Sequence, residues 1–475
     1  MQNLTLATAD GGTRGIDAAS LEAFRSDLRG EMLEQRAPAY QEARTIWNAM
    51  IDRKPGVIVR CKDAGDVVRA VGFARDNGLL VAVRGGGHNI AGSAVCEGGI
   101  VIDLSQMKLV RVDPHARRAW IEPGATLRDI DQETQTSGLA VPTGVNSTTG
   151  IGGLTLGGGF GWITRKFGLT IDSLVSAEVV TANGDRLNAN ATENPELFWA
   201  LRGGGGNFGI VTLFEFELHQ LGPQVLAGFV VHPFDDAVPL LKQYREMVAS
   251  APDELTCWVA MRRAPPLPFL PAEWHGRDIL ILAMCYCGEI AAGEEATAEL
   301  RALGKPIADV VGPVPFVEWQ TAFDPLMTPG ARNYWKTHDF MQLTDAVIAV
   351  LVDGARKLPG PECEIFIFHL GGAAGRVAAA ATAFPLRNAH FGMNVHSRWQ
   401  ERSGDVAHIG WARQVFQEAA PFSAGTAYVN FMPGDEGDRV RSAYGANYQR
   451  LAQVKRRYDP ANLFRMNQNV TPSER

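Results

Sequence analysis

The 475-residue chain has little cysteine, no clustered positive charge and no long apolar run. Its six cysteines are too scattered for a disulfide framework. The net charge is −7, without a run of about five Lys or Arg residues, which argues against nucleic acid or an acidic membrane surface as a partner. No stretch of about 18 apolar residues and no secretory leader pattern occur. These absences predict a cytoplasmic protein that acts on a small molecule.

The cysteines also give no metal-site pattern. Cys285 and Cys287 lie in "DILILAMCYCGE", whose apolar run predicts a buried strand, so no metal is expected.

From about residue 55 to 220, short apolar runs alternate with turn signals, as in an α+β domain. A helix is predicted over 64–77, capped by Asp63 and ended by Asn77-Gly78. The flanking runs "GVIV" and "LLVAV" complete a β-α-β unit.

Glycine is abundant in three short runs: "RGGGHN" (84–89), "GVNSTTGIGGLTLGGGFGWITRKFGL" (144–169) and "LRGGGGNFGIVT" (201–212). The middle run has too many glycines for a stable helix or strand, because ordering each one costs backbone entropy. Successive backbone N–H groups in such loops can cradle a diphosphate. None of the runs matches the GxxxxGK[ST] loop or a dinucleotide-binding βαβ opening. Strands bracket the runs, which argues against linkers.

Four ordered motifs carry a resemblance to a known family: "RGGGHN", "PTGVNSTTGIGGLTLGGGFGWITRKFGLTIDSL" (142–174), "LFWALRGGGGNFGIVT" (197–212) and "YDPANLFRMNQNV" (458–470). The chain resembles FAD-linked oxidases of the vanillyl-alcohol oxidase superfamily, berberine-bridge-enzyme-like branch. The resemblance implies an α+β fold with a two-part PCMH-type FAD domain. It further implies that residues 1–221 form that domain, with its core at about 50–221, and that 426–475 close it. Residues 222–425 would form a substrate domain with an antiparallel sheet flanked by helices.

The resemblance also implies how FAD is held. The histidine matching His88 is joined covalently to the 8α carbon of the flavin. A second linkage, through a cysteine, is not expected because Asn146 stands at that position, although the residues leave Cys96 open. Thr149 matches a position that influences oxygen access. The expected cofactor-binding residues are Arg84, Gly85, Gly86, Gly87, His88, Asn89, Gly144, Thr149, Gly150, Gly152, Gly153, Gly157, Gly158, Gly159, Gly161, Gly209, Ile210, Val211, Asn467 and Asn469.

Polar residues in the predicted strands of the substrate domain are the catalytic candidates. Strand alternation places Asn394 with His396, and Tyr428 with Asn430. A substrate hydroxyl must lose its proton as hydride leaves the adjacent carbon, so a base is required. His396 is the first choice and Tyr428 the second, with His338 and Lys336 as further candidates. Asn467 and Asn469, two apart in "FRMNQNV", are expected on one face of a closing strand, toward the flavin.

The resulting hypothesis is an oxidase that removes hydride from a CH–OH centre of a small metabolite and passes the electrons to O₂, giving H₂O₂. Three alternatives stay open: an amine (CH–NH) oxidase, a flavin dehydrogenase with another electron acceptor, and a flavin-binding protein without catalysis. The sequence identifies neither the substrate nor the oligomeric state.

Overall fold

The computed structural model describes residues 3–474, which form an α+β fold. Its strands, in chain order, are β1 (Leu4–Ala7), β2 (Thr13–Ile16), β3 (Glu31–Glu34), β4 (Val57–Arg60), β5 (Val81–Arg84), β6 (Ile100–Asp103), β7 (Val110–Asp113), β8 (Arg118–Ile121), β9 (Leu139–Ala140), β10 (Leu174–Val180), β11 (Arg186–Asn190), β12 (Ile210–Glu217), β13 (His219–Gln220), β14 (Gln224–Pro233), β15 (Leu255–Arg263), β16 (Asp278–Tyr286), β17 (Ala308–Asp309), β18 (Gly312–Pro315), β19 (Arg332–Phe340), β20 (Glu364–His369) and β21 (Phe391–Trp399).

The helices are interspersed among these strands. They are α1 (Ala18–Asp27), α2 (Tyr40–Arg44), α3 (Ala64–Asp76), α4 (Leu127–Gln135), α5 (Ile151–Leu156), α6 (Thr164–Phe167), α7 (Pro195–Leu201), α8 (Ala237–Ala249), α9 (Ile290–Arg301), α10 (Phe316–Trp319), α11 (Asp345–Ala355), α12 (Ala373–Arg376), α13 (Asp405–Ala419), α14 (Val440–Tyr444) and α15 (Tyr448–Tyr458). Over residues 3–474, none of them has the length and apolar character needed to cross a membrane.

The first glycine loop follows a strand of a small sheet ordered β3-β4-β6-β5, in which β4 and β5 both run parallel to β6. Helix α3 joins β4 to β5. The Asp63 side chain accepts the Asp66 N–H at its start, and Gly78 follows its end with φ +63°. The predicted β-α-β unit is confirmed. The loop 85–89 leaves the carboxyl end of β5, where ligands commonly bind.

The second glycine run contradicts the prediction of no helix, because it contains the short helices α5 and α6. Its glycines allow very close packing. A Cβ at Gly159 would collide with the Thr170 side chain, and one at Gly161 with the backbone oxygen of Thr143. Close packing within the fold therefore offsets part of the entropy cost of ordering these glycines.

The largest sheet is ordered β17-β14-β16-β15-β20-β21-β19, with β18 also paired to β14. Its long neighbouring strands are antiparallel. One face packs on α8, α11 and α13 through a core that includes Leu241, Leu351 and Val415. The opposite face meets the glycine loops, with Trp258 in one cluster with Trp162. The predicted antiparallel sheet flanked by helices is confirmed, as is the predicted strand around Cys285.

The end of the chain returns to the N-terminal half. Tyr444, Leu451 and Val470 share a core with Ile121 of β8 and Phe214 of β12, both in the sheet β11-β10-β12-β8-β7. This return supports the proposed division in which residues 426–475 complete the unit formed by 1–221, with 222–425 as a second unit.

Two strands predicted in this last segment are wrong. Val429–Phe431 is a 3₁₀ turn, and residues 465–470 are irregular. The backbone of the tail forms hydrogen bonds with side chains and not with a neighbouring strand. The Val470 N–H donates to Asn207 Oδ1 (2.9 Å), and Lys455 Nζ donates to the Phe464 carbonyl (2.9 Å).

Candidate active site

A cavity lies between the three glycine loops and the open face of the large sheet. Asn394, His396 and Tyr428 line it. Of the predicted cofactor residues, those that line it are Gly85, Gly86, Gly87, His88, Asn89, Gly144, Thr149, Gly150, Gly152, Gly153, Gly209, Ile210, Val211 and Asn467. Within residues 3–474 no Asp, Glu, Lys or Arg side chain contributes to its walls.

Other predicted cofactor residues lie just outside this cavity. They are Arg84, Gly157, Gly158, Gly159, Gly161 and Asn469. Arg84 donates to the Ala43 carbonyl. A Cβ at Gly157 would collide with Asn430, and one at Gly158 would lie 2.7 Å from Phe384. These glycines let neighbouring segments approach rather than form the cavity wall. The expectation that Asn469 shares a face with Asn467 fails because the tail is not a strand.

His338 and Lys336 face away from the cavity, toward α13. His338 stacks on Phe416 (ring centroids 4.1 Å apart), and its Nε2 lies 3.1 Å from the Phe416 carbonyl. Burial lowers the pKa of His338 to about 4. Lys336 forms an ion pair with Glu436 (2.6 Å). The structure therefore contradicts the prediction that either residue is a catalytic candidate.

His88 stands at the end of the first glycine loop, directly after Gly87, whose φ is +73°. Its Nε2 lies 2.9 Å from the Thr148 hydroxyl and its Nδ1 lies 3.5 Å from the Thr149 hydroxyl. The ring stacks on Trp47 at 5.3 Å. Burial lowers the pKa of His88 to about 4, so the imidazole is neutral near pH 7 and keeps a nucleophilic nitrogen.

The third glycine loop and the tail close the other end of the cavity. Asn207, fully buried, donates to the Gly204 carbonyl (2.9 Å) and to the Gln468 carbonyl (3.2 Å). Asn467 donates to the Gly206 carbonyl (3.0 Å), and its buried Oδ1 has no partner among the described residues. The loop therefore holds the tail, and the tail presents an amide at the cavity.

His396 lies at the sheet side of the cavity with both ring nitrogens engaged. Nδ1 lies 2.9 Å from a Glu364 oxygen, and Nε2 lies 3.1 Å from Asn333 Oδ1. The Asn333 amide is oriented by donation to the Ala331 carbonyl, and Glu364 also accepts from Arg262 (2.7 Å). Since neighbouring side chains engage both nitrogens, neither nitrogen is free to contact a substrate. The geometry does not support His396 as the base.

Tyr428 presents a better placed acceptor. Its buried phenol oxygen receives the Gly159 N–H (3.2 Å) and the Asn430 side-chain amide (3.0 Å). Burial raises the pKa of Tyr428 to about 12, and the two hydrogen bonds act in the opposite direction. Both donors would stabilise the phenolate, which is the form of Tyr428 that can accept a proton.

The sequence pattern did not identify several residues that line the cavity. Trp47, Trp258 and Trp335 contribute aromatic walls, and Gln468 lies beside Asn467. No local signal marks Trp47, which reaches the cavity from a segment before β4. The alternation in "EIFIFH" (364–369) could have placed Phe366 and Phe368 on the same face as Glu364.

The cavity fits FAD by the chemistry of its walls. The backbones of Gly86 and Gly150 are in contact, and a Cβ at Gly152 would lie 3.1 Å from the Pro123 carbonyl, so side chains are absent where the loops converge. Since no Lys or Arg side chain lines the cavity in the described chain, a diphosphate there depends on backbone N–H groups. His88 and the tail amide of Asn467 then lie beside the same ligand.

Comparison with known families agrees with this chemistry. A model described as an FAD-binding domain matches residues 55–190, and one described as berberine and berberine-like matches residues 427–471. The fold and cavity thus define an FAD-dependent oxidoreductase.

Full-length relatives narrow the assignment. The chain is 31% identical to an FAD-linked oxidoreductase of Bacillus subtilis, over 95% of this chain and 99% of the relative. It is 30% identical to (R)-6-hydroxynicotine oxidase of Paenarthrobacter nicotinovorans, over 94% and 97%. The crystal structure of 6-hydroxy-D-nicotine oxidase from Arthrobacter nicotinovorans superposes with a TM-score of 0.83 at 28% identity, covering 94% of this chain and 98% of that one. The chain belongs to the berberine-bridge-enzyme-like family of FAD-linked oxidoreductases, which confirms the resemblance.

Proposed function

We propose that this protein is an oxidase that removes hydride from a CH–OH centre of a small organic molecule, with FAD attached through His88. When bound, FAD supplies the hydride acceptor and passes the electrons to O₂, giving H₂O₂. The observation that carries the proposal is the position of His88 in the glycine-lined cavity that also contains Tyr428.

Attachment at His88 is supported by the state of its ring. Covalent attachment needs a nitrogen lone pair, and burial keeps the imidazole neutral by lowering its pKa to about 4. The stacked Trp47 ring and the hydroxyls of Thr148 and Thr149 restrict the ring's orientation. Asn146, at the position of the second linkage in some relatives, has no thiol. The buried Cys96 thiol lies outside the cavity walls, and burial raises its pKa to about 12, so a single linkage is proposed.

Tyr428 is proposed as the group that accepts the proton from the substrate hydroxyl. The Gly159 N–H and the Asn430 amide stabilise the phenolate, and Asn394 lines the same cavity. His396 is a positioning residue in this proposal. The Arg262–Glu364–His396 chain of contacts holds its ring edge-on to Trp335, with centroids 4.8 Å apart.

Acid precipitation tests the attachment. The wild-type pellet should retain its yellow flavin, whereas His88→Ala should release all its flavin into the supernatant. The exposed His115 gives a matched control, since His115→Ala should keep the flavin bound. Release of all flavin from the wild-type protein would refute the linkage.

A second measurement tests the oxidase reaction. The flavin should bleach when the protein is mixed anaerobically with a suitable alcohol, then recover in air with one H₂O₂ formed per flavin. Slow recovery of the flavin colour in air would instead indicate a dehydrogenase with another acceptor. Bleaching by amines alone would favour the CH–NH alternative.

A further inference from the structure

The sheet side of the cavity is built from three neighbouring strands in fixed register. On β21, Asn394 lies between Thr337 of β19 and Phe366 of β20. Two residues further along β21, His396 lies between Trp335 of β19 and Glu364 of β20. Because residues two apart share a face, Phe366 and Phe368 both point toward the cavity, which both of them line.

Aromatic rings surround this part of the cavity. Phe160 lies 5.2 Å from Phe368 and 5.9 Å from Trp258, measured between ring centroids, with the rings edge to face. Phe431 lies 5.3 Å from Trp335 in the same arrangement. Such walls favour a flat apolar ligand, because aromatic rings pack well edge to face or offset.

The polar groups here that lack a partner are few and uncharged. The buried Oδ1 of Asn394 and the Nε1–H groups of Trp258 and Trp335 have no hydrogen-bond partner among residues 3–474. They leave one acceptor and two indole donors for a ligand. An ionised ligand would lose its hydration here without meeting an opposite charge. Attraction of a cation to aromatic faces offsets only part of that loss. A sugar would bury more hydroxyls than these three groups can satisfy.

We infer that the substrate is a neutral, planar aromatic alcohol, with its ring among Phe160, Trp258, Phe366 and Phe368 and its polar groups on Asn394 and Trp335. The inference rests on the proposed oxidase function for the orientation of the CH–OH group toward the flavin. Charged amines and oligosaccharides are the classes that this cavity disfavours.

Equilibrium dialysis tests the ligand class without requiring turnover. The flavin of the holoenzyme is reduced with dithionite, so that it cannot oxidise a probe, and three probes are compared at pH 7: 2-naphthalenemethanol, 2-naphthylmethylamine and xylobiose. The alcohol should bind at least about 100-fold more tightly than the protonated amine, which shares its ring, and than the sugar. Equal or tighter binding of the amine or xylobiose, or no binding of the alcohol, would overturn the inference.

Variants at Asn394 separate charge from hydrogen bonding. Asn394→Asp keeps the shape and adds a carboxylate, so the amine should gain at least about tenfold in affinity relative to the alcohol. Asn394→Leu should weaken binding of the alcohol by about tenfold and should not increase the affinity for the amine. Trp335→Phe keeps an aromatic ring and removes the N–H, so it should also weaken binding of the alcohol by several-fold. If the ratio of alcohol affinity to amine affinity is unchanged in the two Asn394 variants, or if the alcohol affinity is unchanged in Trp335→Phe, the inference is contradicted.

Anaerobic bleaching distinguishes failure of this inference from failure of the proposed function. If the alcohol binds preferentially but neither it nor related aromatic alcohols bleach the oxidised flavin, the substrate class stands and the oxidase proposal fails. If only sugars or amines bleach the flavin, the oxidoreductase activity stands and the aromatic alcohol class fails.

Discussion

Gly86 of the first glycine loop and Gly150 of the second are in backbone contact. A Cβ added at Gly86 would lie 2.6 Å from the Cα of Gly150, and one at Gly150 would lie 2.7 Å from the Cα of Gly86. Real Cβ atoms essentially never approach this closely, and neither neighbour is a flexible side chain. The wall of the flavin cavity therefore requires glycine at both positions, for packing rather than for backbone freedom alone.

Gly86→Ala should separate the two loops. We expect a loss of about 1–3 kcal/mol in the free energy of unfolding, as for an overpacked core, together with loss of flavin. Gly72→Ala is the control, because nothing lies within 4 Å of its added Cβ in the helix α3 and alanine favours helix. Absorbance at 450 nm per protein and thermal melting measure both effects. Full flavin content in Gly86→Ala would show that the loops can separate at no cost.

Tyr428→Phe should slow anaerobic flavin reduction by roughly 10²- to 10⁴-fold, the usual contribution of one general base. The ring remains, so packing against Phe160 is kept. Tyr244→Phe is the matched control, since its hydroxyl bonds the Cys257 carbonyl in the core on the other face of the sheet. Stopped-flow absorbance gives both rates. A rate within threefold of wild type would remove Tyr428 from the proton transfer.

The same proposal predicts a pH profile. Since burial raises the pKa of Tyr428 to about 12, the phenolate is scarce near neutrality and increases with pH. The rate of flavin reduction should rise by about tenfold per pH unit where this ionisation limits the reaction, and the rise should vanish in Tyr428→Phe. An identical pH profile in both proteins would contradict the assignment.

Local sequence patterns predicted the elements that depend on neighbouring residues. The cap at Asp63, the end of α3 before Gly78 and the strand β12 after the third glycine run are of this kind. His396 shows the limit. Its nitrogens meet Glu364 and Asn333, which are 32 and 63 residues away, through strand register that periodicity does not encode.

The mistaken strands at the end of the chain have a related cause. Apolar and polar residues alternate around Tyr428 and in "FRMNQNV", a pattern that a turn and an irregular tail also satisfy. What decides the conformation is a distant buried side chain, Asn207, which bonds the tail backbone. A single sequence gives no sign of that pairing.

Asn207→Ala should loosen this tail. The variant loses the bonds to the Gln468 carbonyl and the Val470 N–H, both buried or half-buried. Leaving such groups unpaired costs about 1–3 kcal/mol each. The melting temperature should therefore fall clearly, and a protease should cleave the tail faster. Asn188→Ala, which loses a bond to the side chain of Glu193 near the surface, should change neither. Unaltered proteolysis of the tail in Asn207→Ala would show that its core contacts alone hold it.

Asp131 supplies a prediction about pH and stability. It is buried in α4, with Oδ2 accepting from Gln320 (3.0 Å) and Oδ1 without a partner among the described residues. Burial raises the pKa of Asp131 from 3.8 to about 7, because the apolar surroundings disfavour the charged form. Between these two values the folded protein keeps a proton that the unfolded chain has released. This group therefore destabilises the fold progressively as the pH rises from about 4 to about 7, and fully above that.

Asp131→Asn removes the ionisation and keeps an oxygen for Gln320. The variant should melt near the wild-type temperature at pH 3, where Asp131 is mostly protonated in both the folded and the unfolded protein, and above it at pH 8, where the wild type bears a penalty of up to about 4 kcal/mol. Asp339→Asn should behave in the same direction, because burial also raises the pKa of Asp339 to about 7. Melting temperatures of the three proteins across this range measure the effect. A difference between variant and wild type that does not grow with pH would mean that Asp131 ionises in the folded protein as readily as in the unfolded chain.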